Sequence, residues 1–146
     1  HAEEAGLQID YRCGTAEQLL EERGPGVFDV VLNLEVVEHV ADPEQFLADC
    51  AALVKPGGVM IVGTINRTAR AFVTAIFGAE YVLGWLPRGT HRFDKLVKPL
   101  EVEQALDAAG LQSEPPVGVS YNPFQDSFFI SGDAGVNYLL AAVKPG

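Results

Sequence analysis

The densest group of chemically capable side chains in this 146-residue sequence is Glu35-Val-Val-Glu-His39. If the chain makes a helical turn there, Glu35, Glu38 and His39 stand at i, i+3 and i+4 and share one face. Two carboxylates and an imidazole are ligands for a divalent cation, and a carboxylate-rich set suits Mg²⁺ or Mn²⁺ better than zinc. The same spacing also serves a solvated, charged helix edge with no chemistry. An imidazole is the side chain best suited to general-base work near neutral pH, and either His39 or His91 could take that part. Asn33 and Leu34 sit just before the cluster, where a strand end offers a backbone or apolar contact to a flat ligand such as an adenine. Gly14, Thr15 and Ala16 hold the equivalent end of the preceding strand, and ordinary turn chemistry accounts for them as well.

Other chemistries find no footing. No G-x-S-x-G occurs and His91 has no Ser or Cys at motif spacing, so hydrolysis is unsupported. Gly24-Pro25-Gly26 precedes a strand instead of following one, which disqualifies it as a dinucleotide fingerprint. Cys13 and Cys50 have neither the number nor the spacing of a disulfide scaffold or a zinc site.

The elements that must position the cluster read as α/β. Phe28 to Leu34 is almost continuously apolar and β-branched in its middle, as expected of a central parallel strand covered on both faces. Leu7 to Arg12 alternates apolar and polar, the pattern of a half-buried strand. His1 to Gly6 reads as the end of a helix. Thr15 and Gln18 fit a capping box for a short helix over 16–22. Asp42-Pro43-Glu44-Gln45 opens a second helix, whose Phe46, Leu47, Cys50, Leu53 and Val54 form one apolar face. Lys55-Pro-Gly-Gly58 stops it, and Val59 to Thr64 is a second buried strand, so 28–64 is a parallel crossover unit. Residues 69–86 are helix-compatible, and Pro99 opens a helix to Gly110. After Pro115-Pro116 three extended segments, 117–121, 126–131 and 136–143, point to antiparallel strands at the chain's end. With no repeat or linker, residues 1–146 read as a single domain. Open parallel sheets bind ligands beyond the carboxyl ends of their strands, here after Leu34 and Thr64.

A composition 48% apolar and 21% charged excludes disorder, and no run of 18 apolar residues exists to span a bilayer as a helix. The net charge of −10 argues against nucleic acid as a partner. The charge is uneven. Residues 67–98 carry Arg67, Arg70, Arg88, Arg92, Lys95 and Lys98 against Glu80 and Asp94, a local excess of positive charge in an acidic chain. Phe72, Phe77, Tyr81, Trp85 and other apolar residues lie among these cations, a composition that suits either an interfacial helix on an anionic membrane or a lid over the sheet.

Taken together the motifs resemble the ubiquinone-biosynthesis O-methyltransferase family. Glu35-Val-Val-Glu-His39, Leu53-Val-Lys-Pro-Gly-Gly58, Thr64-Ile-Asn-Arg67, Gly78-Ala-Glu-Tyr81, Gly89-Thr-His91, Lys98-Pro99, Tyr121-Asn-Pro123 and Val136-Asn-Tyr138 match it in order and spacing along almost the whole chain. Lys-Pro-Gly-Gly alone indicates only a SAM-dependent methyltransferase of the Rossmann-like kind; the combination is far narrower. The resemblance implies a Rossmann-like, mostly parallel sheet with a C-terminal antiparallel hairpin. It implies S-adenosyl-L-methionine as cofactor and methylation of a catechol-type hydroxyl on a polyprenylated phenol or quinol. It associates Glu35, Glu38 and His39 with Mg²⁺, matches Leu34 to a SAM contact beside Asn33, Thr15 and Ala16, and leaves His91 as a lid or substrate residue. It associates the insertion at about 65–98 with membrane lipid. That implies a cytoplasmic protein, peripheral on the inner face of a bacterial membrane, that works beside other ubiquinone-biosynthesis proteins.

The sequence departs from the family pattern at its start, where neither a Gly-rich SAM loop nor an acidic ribose-binding residue precedes Leu7. The expectation is therefore an N-terminally truncated domain with half a cofactor site and a free sheet edge. Two other readings stay open: a non-catalytic quinone- or lipid-binding fragment, and a methyltransferase for another small molecule.

Overall fold

The structure, a computed structural model, describes residue 2 and residues 4–71, 93–122 and 125–146. Local sequence signals set most of the elements. Helix α1 (Ala16–Arg23) begins at Thr15, whose hydroxyl accepts from the Gln18 N–H while the Gln18 side chain accepts from the Thr15 N–H. Strand β1 (Phe28–Leu34) leads through a single turn of 3₁₀ helix at Val37–His39 into helix α2 (Pro43–Leu53). Asp42 caps α2 by accepting from the Gln45 N–H at 3.1 Å, and Pro43 supplies its first turn. At the other end Lys144 Nζ donates to the carbonyls of Ala51 and Val54, at 2.9 Å each, placing a cation on the negative end of the helix dipole.

Strand β2 (Val54–Ile65) follows without a loop. A short turn α3 (Ala69–Ala71) comes next, then α4 (Pro99–Ala108), β3 (Gln112–Ser113), β4 (Gly118–Asn122), β5 (Ser127–Ser131) and β6 (Asn137–Val143). The main sheet runs β1-β2-β6-β3, with β1 parallel to β2 and β6 antiparallel to both β2 and β3; β4 and β5 pair as a separate antiparallel ribbon. The parallel crossover, helices α1, α2 and α4 and the closing antiparallel strands fall where the sequence places them. Val31 and Asn33 of β1, Met60, Val62 and Thr64 of β2, and Tyr138, Leu140 and Ala142 of β6 share the face that takes the helices. Leu47, Val102 and Leu106 complete the core from the helix side.

Gly58 shows why Lys55-Pro-Gly-Gly58 closes this unit. The β1–β2 register slips here, Phe28 pairing with Val54 and Val30 with Val59, so the intervening residues fold back against β1. A Cβ on Gly58 would lie 2.8 Å from the Asp29 carbonyl oxygen and 2.9 Å from that of Lys55, both immovable backbone atoms. Gly58→Ala is therefore expected to destabilise the chain by about 1–3 kcal/mol through overpacking, measurable as a lower urea midpoint at an unchanged slope.

Three sequence expectations are corrected. Leu7–Arg12 is not a strand: a strand exists only with a hydrogen-bonding neighbour, these residues have none among the described residues, and Leu7, Ile9 and Tyr11 are exposed. Ala2 and residues 4–6 form turns and not a helix end. β1 is an edge strand covered on one face only, leaving Phe28, Val30, Leu32 and Leu34 in solvent. Its apolar run is the mark of two-sided cover that the described residues do not supply. The free edge itself agrees with expectation. Of the helix read over 69–86, Ala69–Ala71 is seen as α3, and residues 72–86 lie outside the described residues. No helix among the described residues is long and apolar enough to cross a membrane.

Candidate functional site

β1 and β2 end side by side, and their carboxyl ends carry buried polar groups without hydrogen-bond partners among the described residues. Asn33 and Thr64 each stand one residue before the strand's last, on the helix-covered face. Both amide atoms of Asn33 and the hydroxyl of Thr64 lack a hydrogen-bond partner. Such groups are rare because each forfeits about 1–3 kcal/mol of hydration.

The chain leaves β1 through Glu35, whose φ of +54° lies in the left-handed region. That conformation is costly for a side-chain-bearing residue and marks a geometry held by its surroundings. It turns the following 3₁₀ helix inward, so that Val37 is fully buried and Glu38 only 3% exposed. Both Glu38 carboxylate oxygens are buried and unpartnered. Glu35, as a residue, keeps contact with solvent, but its carboxyl is drawn against Glu38 and its pKa is pushed up to about 7. Loss of water around the carboxyl is the main cause and the charge of Glu38 the second. Two ionised carboxylates cannot hydrogen-bond to each other. Once Glu35 takes up a proton it has a donor for Glu38, and the pair then shares it.

Glu38 lines a cavity of about 620 Å³. Asp42 and Leu47 form one side, and Leu96, Val97 and Glu101 the other. Arg67, just past β2, also lines it and pairs with Glu101 in the first turn of α4. The second Glu101 oxygen accepts from the Lys98 N–H at 2.9 Å. A cavity of this size, mostly apolar with a few convergent polar groups, is the usual form of a small-molecule site.

The predicted residues distribute unevenly over this geometry. Glu35 and Glu38 come together. A three-residue metal set does not: among the described residues no three His, Cys, Asp or Glu side chains are gathered closely enough to hold a metal ion. The expected triad of Glu35, Glu38 and His39 needs one α-helical face from 35 to 39, whereas the helical turn spans only Val37–His39 and is 3₁₀. His39 closes that turn as an exposed residue. Thr15 and Ala16 line a second cavity of about 560 Å³ with Val30 and Val31, and the Thr15 hydroxyl is already engaged in capping α1. Asn33 and Leu34 are not part of that lining, so the proposed cofactor residues are not gathered in one cavity. Leu34 is half exposed at the strand end. His91 lies outside the described residues, as does most of the basic insertion. Sequence reasoning missed Thr64, Arg67, Glu101 and Tyr138 as parts of the site, because each reaches it through sheet register or a long-range contact that spacing does not encode.

Comparison with known proteins extends this geometry. Residues 1–62 match the family model described as a methyltransferase domain. The chain is 62% identical over 145 residues to the ubiquinone biosynthesis O-methyltransferase of Maricaulis maris, covering 99% of this chain and 57% of that protein. It is 55% identical over 145 residues to the Brucella anthropi protein of the same name, covering 99% of this chain and 58% of the relative. The chain thus spans little more than half the length of the curated relatives it matches. Among solved structures, a SAM-dependent methyltransferase from Thermotoga maritima superposes with a TM-score of 0.65 at 20% identity, over 98% of this chain and 67% of that one. An O-methyltransferase family protein from Burkholderia thailandensis gives 0.61 at 19% identity, over 100% of this chain and 39% of that one.

Proposed function

We propose that this chain, which shares its fold with a SAM-dependent methyltransferase and is 62% identical over 99% of its length to part of a ubiquinone biosynthesis O-methyltransferase, forms the acceptor side of an enzyme that methylates a catechol-type hydroxyl of a polyprenylated phenol or quinol. The observation that carries the reading is Glu38, a buried carboxylate with both oxygens free, set against Glu35 and facing a cavity of about 620 Å³. A phenol must lose its proton as it is alkylated, and a carboxyl held near neutrality is matched to that task. Glu38, the member of the pair that lines the cavity, would take the phenolic proton and pass it to Glu35. Leu47, Leu96 and Val97 supply the apolar walls for the ring.

S-adenosyl-L-methionine would supply the electrophilic methyl group, and the residues at the strand end fit it in part: Leu34 offers an exposed apolar contact and Asn33 an unengaged amide. The carboxylate pair also fits a divalent cation, since Mg²⁺ takes one or two carboxylates and completes its shell with other oxygens. Glu35 and Glu38 would hold it, without His39, and its charge would lower the pKa of the phenol. The excess of Arg and Lys over residues 67–98 supports a place on the cytoplasmic face of an anionic membrane, where a polyprenylated substrate resides.

The test is methyl transfer from labelled SAM to a short-chain prenylated catechol by a full-length protein carrying this chain. Labelled O-methyl product is expected. A protein that binds SAM yet methylates neither the prenylated catechol nor 4-methylcatechol would overturn the reading.

A further inference from the structure

Leu96 and Val97 form one wall of the cavity, and the stretch Leu96–Lys98 belongs to no helix or strand. Its backbone carbonyls therefore need partners from elsewhere. Leu96 and Val97 are nevertheless buried, so something holds the stretch down. At its end the tie is Arg67–Glu101, with Glu101 in turn accepting from the Lys98 N–H. Within it the tie is Tyr138, a β6 residue 1% exposed, whose Oη donates to the Val97 carbonyl at 3.1 Å. Tyr138 pairs across the sheet with Thr64, so the hydroxyl is anchored to the same strand end that carries the unpartnered polar groups.

Resting on the reading that this cavity takes the catechol, we propose that Tyr138 is a positioning residue: its hydrogen bond to the Val97 carbonyl fixes the Leu96–Val97 wall against the sheet and so sets the fit of the ring in front of Glu38. Tyr138 is not a proton acceptor in this role. Burial, and then the carboxylates of Glu101, Glu38 and Glu35, push its pKa upward, so the hydroxyl remains a donor. Phenylalanine would fill the same volume and leave the Val97 carbonyl without its partner. The wall then loses its fixed distance while the ring packing of the core persists.

The experiment is Tyr138→Phe in a full-length protein carrying this chain, assayed with a short-chain prenylated catechol. The KM for the catechol is expected to rise about tenfold, with kcat within about twofold and the KM for SAM unchanged, because uniform binding of the ring is what has been lost. Hydrogen exchange at the Leu96 and Val97 N–H groups is expected to quicken while that of α4 stays slow. An unchanged catechol KM together with a lower melting temperature would show a purely structural role and overturn the proposal. If Tyr138→Phe does not fold, Leu96→Ala trims the same wall and carries the same expectation for KM, with an unchanged value again decisive. A wild-type protein inactive on every catechol would remove the functional reading by itself. The proposal about the wall then stands or falls on the exchange rates.

Discussion

Glu38→Gln is expected to make this protein more stable and nearly inactive. The native carboxylate is buried with both oxygens unpartnered, and an unpaired ionised group is the most expensive kind to bury. Glutamine has the same shape and no charge, so the folded chain should gain about 1–3 kcal/mol, seen as a higher urea midpoint at pH 8. If Glu38 serves the phenol as proposed, methyl transfer should fall by about 10²–10⁴-fold, the usual range for loss of acid–base assistance. The opposite signs are the informative part. A variant that lost stability and activity together would show Glu38 to be a structural residue, and one that gained stability at full activity would remove it from the chemistry.

The second large effect concerns Glu35 and pH. Its pKa in the folded chain is about 7 against an ordinary 4.5, so between those values the folded state holds a proton that the unfolded state has released. Stability contributed by this group is complete below pH 4.5 and declines as pH rises through the window, reaching a constant penalty above 7. Because Glu35 keeps contact with solvent, screening reduces the full linkage value to about 1 kcal/mol. The difference in unfolding free energy between wild type and Glu35→Gln should therefore drift across pH 4.5–7 and be flat on either side. A divalent cation removes the same repulsion without a proton. Millimolar MgCl₂ at pH 8 should raise the melting temperature of wild type and leave Glu35→Gln nearly unmoved. A difference that ignores pH and magnesium alike would mean the two carboxyls do not interact in solution.

The parts of the fold that are written locally were legible. Thr15 with Gln18, Asp42 with Pro43, and Pro99 each fix a helix start through backbone geometry within a few residues. The parallel pairing of β1 with β2 followed from a short crossover that leaves few alternatives. What failed depends on distant partners. Among the described residues Leu7–Arg12 has a strand's alternation and no neighbour to pair with, and Phe28–Leu34 has the composition of an enclosed strand with one face bare. At the site the residue types were readable and the depth was not. Nothing in Glu-Val-Val-Glu-His tells that Glu35 adopts a positive φ, that Glu38 is swallowed, or that His39 stays outside. Spacing reports angle around an axis, and burial is decided by what packs across it.

Along β1 successive side chains alternate between two very different worlds. Val31 and Asn33 turn toward the helices, while Phe28, Val30, Leu32 and Leu34 form an oily ladder on the reverse. Among the described residues no strand pairs with the outer edge of β1, and any extended peptide placed there would hide hydrocarbon and bond its amides at once. An oily outer surface and a helix-covered inner one thus belong to a single strand. A hydrophilic residue at Phe28 or Val30, at the far end of the ladder from Glu35, is expected to make that surface less oily without touching the acidic pair.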